Sequence, residues 1–290
     1  IYTYKRVVTN IGYKKMMKNK NKKIIKDKIQ TLKKLNKKVF FKNLKTYDYF
    51  EFKEKLDSSR FVLNCINELS KGSVFILKNS IKSDFLEKMK IKLNKIAKNK
   101  KQISPRIING VKNGFYISNQ LSSKGYKTVD KSFYFFSWNK DATGIYNKII
   151  DIYKPLKILN GLRPADFTKN TPKDGIIERV HIINYPINSG LISQHYDPTN
   201  VTIFNFGIYA TEFGIDYDKG GFFVLKNKNK KIFIDKKVEK TDALLFSPSL
   251  VHGVDKVKNL KQKKSDGRWF VNVNLAQSHE VKNRQYTKKY

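Results

Sequence analysis

His195-Tyr196-Asp197 sets an imidazole and a carboxylate two residues apart, in a segment that reads as a strand end. Side chains at i and i+2 share one face of a strand, so His195 and Asp197 converge while Tyr196 faces away. His252 follows Asp197 by 55 residues, behind the apolar run Ala243-Leu244-Leu245-Phe246 and the turn residues Ser247-Pro248. It can supply a second imidazole from another strand. Two imidazoles and one carboxylate on one face, with open positions opposite, suit a reactive Fe²⁺. The same donors bind Zn²⁺, so ligand types alone leave the metal open.

Arg268 comes 16 residues after His252, at the head of Arg268-Trp269-Phe270-Val271-Asn272-Val273-Asn274. Alternation puts Arg268, Phe270, Asn272 and Asn274 on one strand face, and Trp269, Val271 and Val273 on the other. A guanidinium at the head of a core strand needs an anionic partner, because burial unpaired is expensive. A dicarboxylate co-substrate held in a bidentate fork is one such partner.

These residues need a scaffold, and the charge pattern outlines it. The 290 residues include 60 Lys plus Arg against 24 Asp plus Glu, for a net charge of +36. No basic residue occurs from His181 to Asp218, from Thr241 to Asp255, or from Trp269 to Val281. Lysine avoids full burial unless paired, so these gaps mark the expected core, and they hold the three candidate ligands. Beyond Asp174, short apolar runs alternate with Gly, Pro and Asn turns, as in an antiparallel sandwich or barrel. Before that, Gly72 to Leu77 reads as a strand, Ser83 to Ala97 as a helix, and Ile145 to Leu159 as helical up to Pro155. The stretch from Ile24 to Leu35 fits a basic amphipathic helix, either docked on a partner surface or packed on its own domain. The expectation is a mainly β protein with flanking helices (α+β). Its basic, partly helical N-terminal extension spans residues 1–55, and one catalytic domain spans 56–290 with a β core over about 110–280.

Composition narrows the class. An apolar fraction of 40% is ample for a packed core, which excludes wholesale disorder. No run approaches a membrane-spanning length, no secretory signal is evident, and the lone Cys65 excludes an internal disulfide framework. The sequence starts at Ile1 without Met, as a trimmed chain would. Only seven basic residues are arginine, leaving 53 lysines, which fits an AT-rich coding bias better than a nucleic-acid reader.

The order His195-x-Asp197, His252, Arg268 resembles the His-x-Asp…His…Arg signature of Fe(II)/2-oxoglutarate-dependent oxygenases, phytanoyl-CoA dioxygenase and prolyl hydroxylase-like members among them. The context is similar too: Asn184-Tyr185-Pro186 and Gly190 precede the His-x-Asp, Gly220-Gly221-Phe222 supplies a mid-core Gly-Gly turn, and Asp242 to Val254 contains the Phe…His-Gly-Val run, with Thr241 in place of the usual Gly. The resemblance covers roughly residues 70–280. It implies a double-stranded β-helix (jelly-roll, cupin-like) core with N-terminal helices, and Fe²⁺ on His195, Asp197 and His252. It also implies 2-oxoglutarate on Arg268, with Tyr185 and Asn272 as further contacts, and O₂ as oxidant. The Ser or Thr often found two residues past the Arg is Phe270 here, so Asn272 is the substitute contact. Succinate and CO₂ would be co-products of oxidising a substrate C–H bond. A retained Asp197 favours hydroxylation over halogenation, in which a small residue frees a position for chloride.

A small-molecule metabolite is the expected substrate, with Arg179, His181 and Trp138 as candidate contacts. His279 is expected to be surface or structural, and Cys65 a buried thiol. The basic charge raises two variants: an anionic lipid or glycolipid at a membrane surface docked by residues 1–50, or nucleic acid, against which the scarcity of Arg argues. A cupin-type binding module is the non-enzyme alternative. The expected location is cytoplasmic, with a membrane-peripheral variant.

Overall fold

A computed structural model describes residues 21–99, 101–121, 126–260 and 265–290. Its helices are α1 (Asn21–Leu35), α2 (Tyr49–Lys55), α3 (Ser59–Ser70), α4 (Ser83–Asn99) and α5 (Ile145–Tyr153). Its first strands are β1 (Leu44–Asp48), β2 (Val74–Lys78), β3 (Gly114–Leu121) and β4 (Lys127–Phe136). The later ones are β5 (Ile176–Tyr185), β6 (Leu191–Tyr196), β7 (Asn205–Tyr209), β8 (Lys219–Asn227), β9 (Lys230–Phe233), β10 (Ala243–Phe246), β11 (His252–Lys258), β12 (Arg268–Gln277) and β13 (Lys288–Lys289).

From β5 onward, successive strands are dealt between two antiparallel runs. One is ordered β10-β7-β12-β5, the other β6-β11-β8-β9. This interleaving is the jelly-roll, or double-stranded β-helix, order. β4 closes one side by pairing with β5 from Lys131 to Phe136 and with β6 at Thr128 and Val129. β2 and β1 extend the first run beyond β10.

Alternation along the strands builds the layers. On β12, Trp269, Val271 and Val273 join Phe206 and Ile208 of β7 in a cluster with all five helices. Ile183 and Tyr185 of β5 and Tyr209 of β7 face the other way, packing with Phe222, Val224 and Val254 of the second run. The order is therefore helices, first sheet, second sheet, and the opposite face of β12 opens into the space between the sheets.

The apolar stripe of α1 is occupied by this packing: Ile25 and Ile29 are buried with Cys65 in the helical layer. The stripe of α4 centres on Leu86, Met89 and Leu93, with Phe85 and Ile96 at its edges. The packed unit also takes in residues 39–55. Val39 bridges Leu250, β1 pairs in parallel with β2, and Tyr49 and Phe52 are buried. Lys157, in the 3₁₀ turn after α5, is fully buried, but its Nζ lies 2.6 Å from Glu178 and donates to the carbonyls of Pro164 and Asp166. That is the paired burial a core lysine requires. No described helix is long and apolar enough to cross a membrane.

Candidate metal centre

His195 lies near the end of β6 and Asp197 just beyond it, where the Asp197 N–H donates to the Pro248 carbonyl at 2.8 Å. His252 opens β11 directly across the ladder from His195, with ring centroids 4.3 Å apart. One donor atom from each of the three residues falls within 4.8 Å of the others, a group that could hold a metal ion. The His195 Nδ1 sits 2.7 Å from the Ser193 carbonyl, and the His252 Nδ1 2.6 Å from that of Leu250. A carbonyl only accepts, so in each neutral ring Nδ1 carries the proton and Nε2 keeps its lone pair for a metal. Asp197 accepts from the Thr287 hydroxyl, which fixes its carboxylate. Tyr126 stacks on His195, and Phe222 and Phe246 flank His252.

Burial, then the neighbouring His195, pushes the His252 imidazole down to about 4 from its ordinary 6.5, against the opposing pull of Asp197. Without metal, the unfolded chain takes up a proton in that interval that the folded chain refuses, so stability falls as pH drops from about 6.5 to about 4. The denaturant midpoint of the metal-free protein should decline across that window, and His252→Gln should flatten the slope. An unchanged slope in the variant would place the titration elsewhere.

The centre opens into a cavity of about 570 Å³, a size typical of small-ligand sites. Tyr185, Arg268 and Asn272 line it, as do Arg179 and His181. Tyr185 and Arg268 face each other across the β5–β12 ladder, and Asn272 faces His181. His181 stacks on Tyr134, with its Nε2 2.8 Å from the Ser132 hydroxyl, and burial, then Arg179, holds it neutral. Trp138 is not brought here. Its indole donates to the Val111 carbonyl and stacks on Phe136 in a separate cluster, because β4 ends before reaching it. His279 does line the cavity, and its Nδ1 accepts the Ile107 N–H at 2.8 Å.

The anionic partner that Arg268 demands is an internal one. Its Nε and an Nη donate to the two oxygens of Asp235 at 2.6 and 3.0 Å, both residues being 1% exposed. Asp235 also accepts from the hydroxyls of Tyr209 and Tyr217 and from the Phe222 N–H, at 2.8, 2.5 and 2.8 Å. Gly221 permits this approach: at φ +95°, a Cβ there would lie 2.2 Å from an Asp235 oxygen. Pattern alone does not mark Asp235, which precedes two lysines and looks like surface. Two of the five guanidinium N–H groups are thereby used.

No family model and no curated protein matches the chain. Solved structures do resemble it. A Trichoplax adhaerens prolyl hydroxylase, in complex with a hypoxia-inducible-factor oxygen degradation domain peptide fragment, is 15% identical with a TM-score of 0.47, over 78% of this chain and 92% of that one. A Pseudomonas putida prolyl-4-hydroxylase is 10% identical with a TM-score of 0.47, over 79% and 99%. A 2OG-Fe(II) oxygenase family protein from Burkholderia pseudomallei is 12% identical with a TM-score of 0.43, over 84% and 99%. Likeness at this level says nothing of activity, which rests on the site itself.

That site fits a divalent metal: two Nε2 lone pairs and one oriented carboxylate converge from β6 and β11 at the wall of a cavity. It fits an anionic co-substrate through cavity cations, of which Arg268 is already neutralised by Asp235.

Proposed function

We propose that the chain is an Fe(II)/2-oxoglutarate-dependent dioxygenase that hydroxylates a C–H bond of a small molecule. The observation that carries this reading is the His195–Asp197–His252 group, with both Nδ1 atoms held by carbonyls and the open side facing the cavity. Three protein ligands on one face leave the remaining positions for co-substrate and oxidant. When bound, Fe²⁺ with 2-oxoglutarate and O₂ supplies the oxidising power, releasing succinate and CO₂.

The chain's own residues bind, orient and shield. Ser193 and Leu250 set the two imidazole tautomers, and Thr287 orients the carboxylate. Tyr126, Phe222 and Phe246 wall the ligands with aromatic surface that excludes water. Arg268 and Tyr185 form one end of the cavity, the place proposed for the co-substrate's distal carboxylate, while Asn272 lines the wall four residues further along β12, opposite His181. Asp235 fixes the guanidinium there and offsets its charge, so this contact rests on directed N–H donors more than on net attraction.

The test is succinate formation from 2-oxoglutarate by the full chain. Turnover should stop when a chelator removes the metal, return with Fe²⁺, and stay absent with Zn²⁺. Zn²⁺ restoring a hydrolytic activity while Fe²⁺ restores nothing would sink the oxygenase reading.

A further inference from the structure

The cavity's charge is built from rare residues. The protein has seven arginines and 53 lysines, yet four arginines line the cavity and, among the described residues, no lysine does. Asp197, already committed to the centre, is the one acidic residue lining it among the described residues. Arg268 is neutralised by Asp235; Arg106, Arg179 and Arg284 are not. Among the described residues, none of these three has a carboxylate within ion-pair distance.

Arg179 is fixed but uncompensated. Its Nε donates to the Asn274 side chain at 3.2 Å and its guanidinium lies 5.5 Å from the Tyr134 ring centre. Arg284 stacks on Tyr286 at 5.0 Å, and its Nη1 is buried without a hydrogen-bond partner. A buried donor left unpaired is costly, the more so when it is charged, so a missing acceptor belongs beside it. All three line the cavity together with His279, whose imidazole is pushed down to about 4 by burial, then by Arg284, Arg106 and Arg179. They also stand apart from Arg268. Arg179 pairs with Asn274 and Tyr185 with Arg268, so the two cationic ends are separated by six residues of β12, on the order of 20 Å of strand. Arg179 lies within electrostatic reach of Asp197.

We infer that Arg179, Arg284 and Arg106 form a subsite for an anionic group, a carboxylate or a phosphate, of the molecule on which the centre acts. Planar forks suit both anions bidentately, which explains arginine where the rest of the chain uses lysine. The inference rests on the proposed function only in naming the occupant as substrate; the anion site stands on its own geometry.

The test is calorimetric titration of the full chain with inorganic phosphate and, separately, 2-oxoglutarate, each with and without redox-silent Mn²⁺. The Arg179→Gln/Arg284→Gln double variant should bind phosphate at least about ten-fold more weakly. Arg106→Gln, at an exposed position, should lose a smaller factor with its fold intact, and Arg163→Gln, whose guanidinium pairs with Asp166 on the surface, should lose none. Retained 2-oxoglutarate affinity in the double variant supports assignment to the substrate, and loss of it would overturn that in favour of the co-substrate. Phosphate affinity that is absent from the wild type at millimolar concentration, unchanged in the double and Arg106 variants, or equally lost in Arg163→Gln would overturn the subsite itself. Failure of Mn²⁺ to bind would sink the metal centre and leave the phosphate result standing.

Discussion

His252→Ala is expected to abolish both metal binding and succinate formation while leaving the fold in place. The ring opens β11 opposite His195 and supplies one of three donors, so its loss leaves two ligands on a cation that water can take back. Outer partners of metal ligands alone cost about 10–100-fold when removed, and a ligand should cost more, so turnover should fall by at least a hundred-fold. Removing the side chain also relieves the burial of an imidazole held well below its ordinary range, which predicts little loss of stability, or a gain, at acid pH. Mn²⁺ binding followed by paramagnetic resonance, alongside circular dichroism, separates the two effects. Full Mn²⁺ affinity in a folded variant would show that the ion sits elsewhere.

The second large effect lies at Asp235. Asp235→Asn keeps the shape but removes the charge opposite a guanidinium that is 1% exposed. An uncompensated buried charge of this kind costs about 3–5 kcal/mol, a large part of a typical domain's stability. The amide also brings donors toward the Tyr209 and Tyr217 hydroxyls and the Phe222 N–H, so at least one donor meets another donor. Replacing both partners with apolar residues, Asp235→Leu with Arg268→Met, should recover much of the loss, since a buried ion pair is often matched by a packed apolar one. Denaturant midpoints of the single and double variants decide this. A double variant as unstable as Asp235→Asn would mean that the tyrosine hydroxyls, not the charge pair, carry the stability.

Much of the centre was legible because its chemistry is local. His195 and Asp197 follow from strand period, and the faces of β12 divide as alternation requires, Trp269 to the helices and Asn272 to the cavity. What escaped depends on distant chain. Arg268 needed an anion, and period alone could not say that it comes from 33 residues upstream through a Gly-Gly turn with φ of +82° and +95°. Trp138 reads as one more aromatic of the β4 run, but where a strand ends is set by its partners. His279 and Arg284 lie in a polar tail with no periodicity, and only the rarity of arginine and histidine in so lysine-rich a chain marks them out. The β1–β2 pair is parallel, so neither strand carries a hairpin signal, and the basic residues around β1 mask its place in the sheet.

The segment from Arg284 to Lys289 supplies a cavity wall, the hydroxyl that holds Asp197, and a short strand laid on β6 at His195 and Tyr196. Each is a contact made across about 90 residues or more of chain, so the pocket is among the most non-local features of the fold. It is also among the easiest to undo. Lys282 and Asn283 are exposed between β12 and this wall, so a single tryptic cut after Lys282 should open the centre while the eight strands of the jelly roll stay paired.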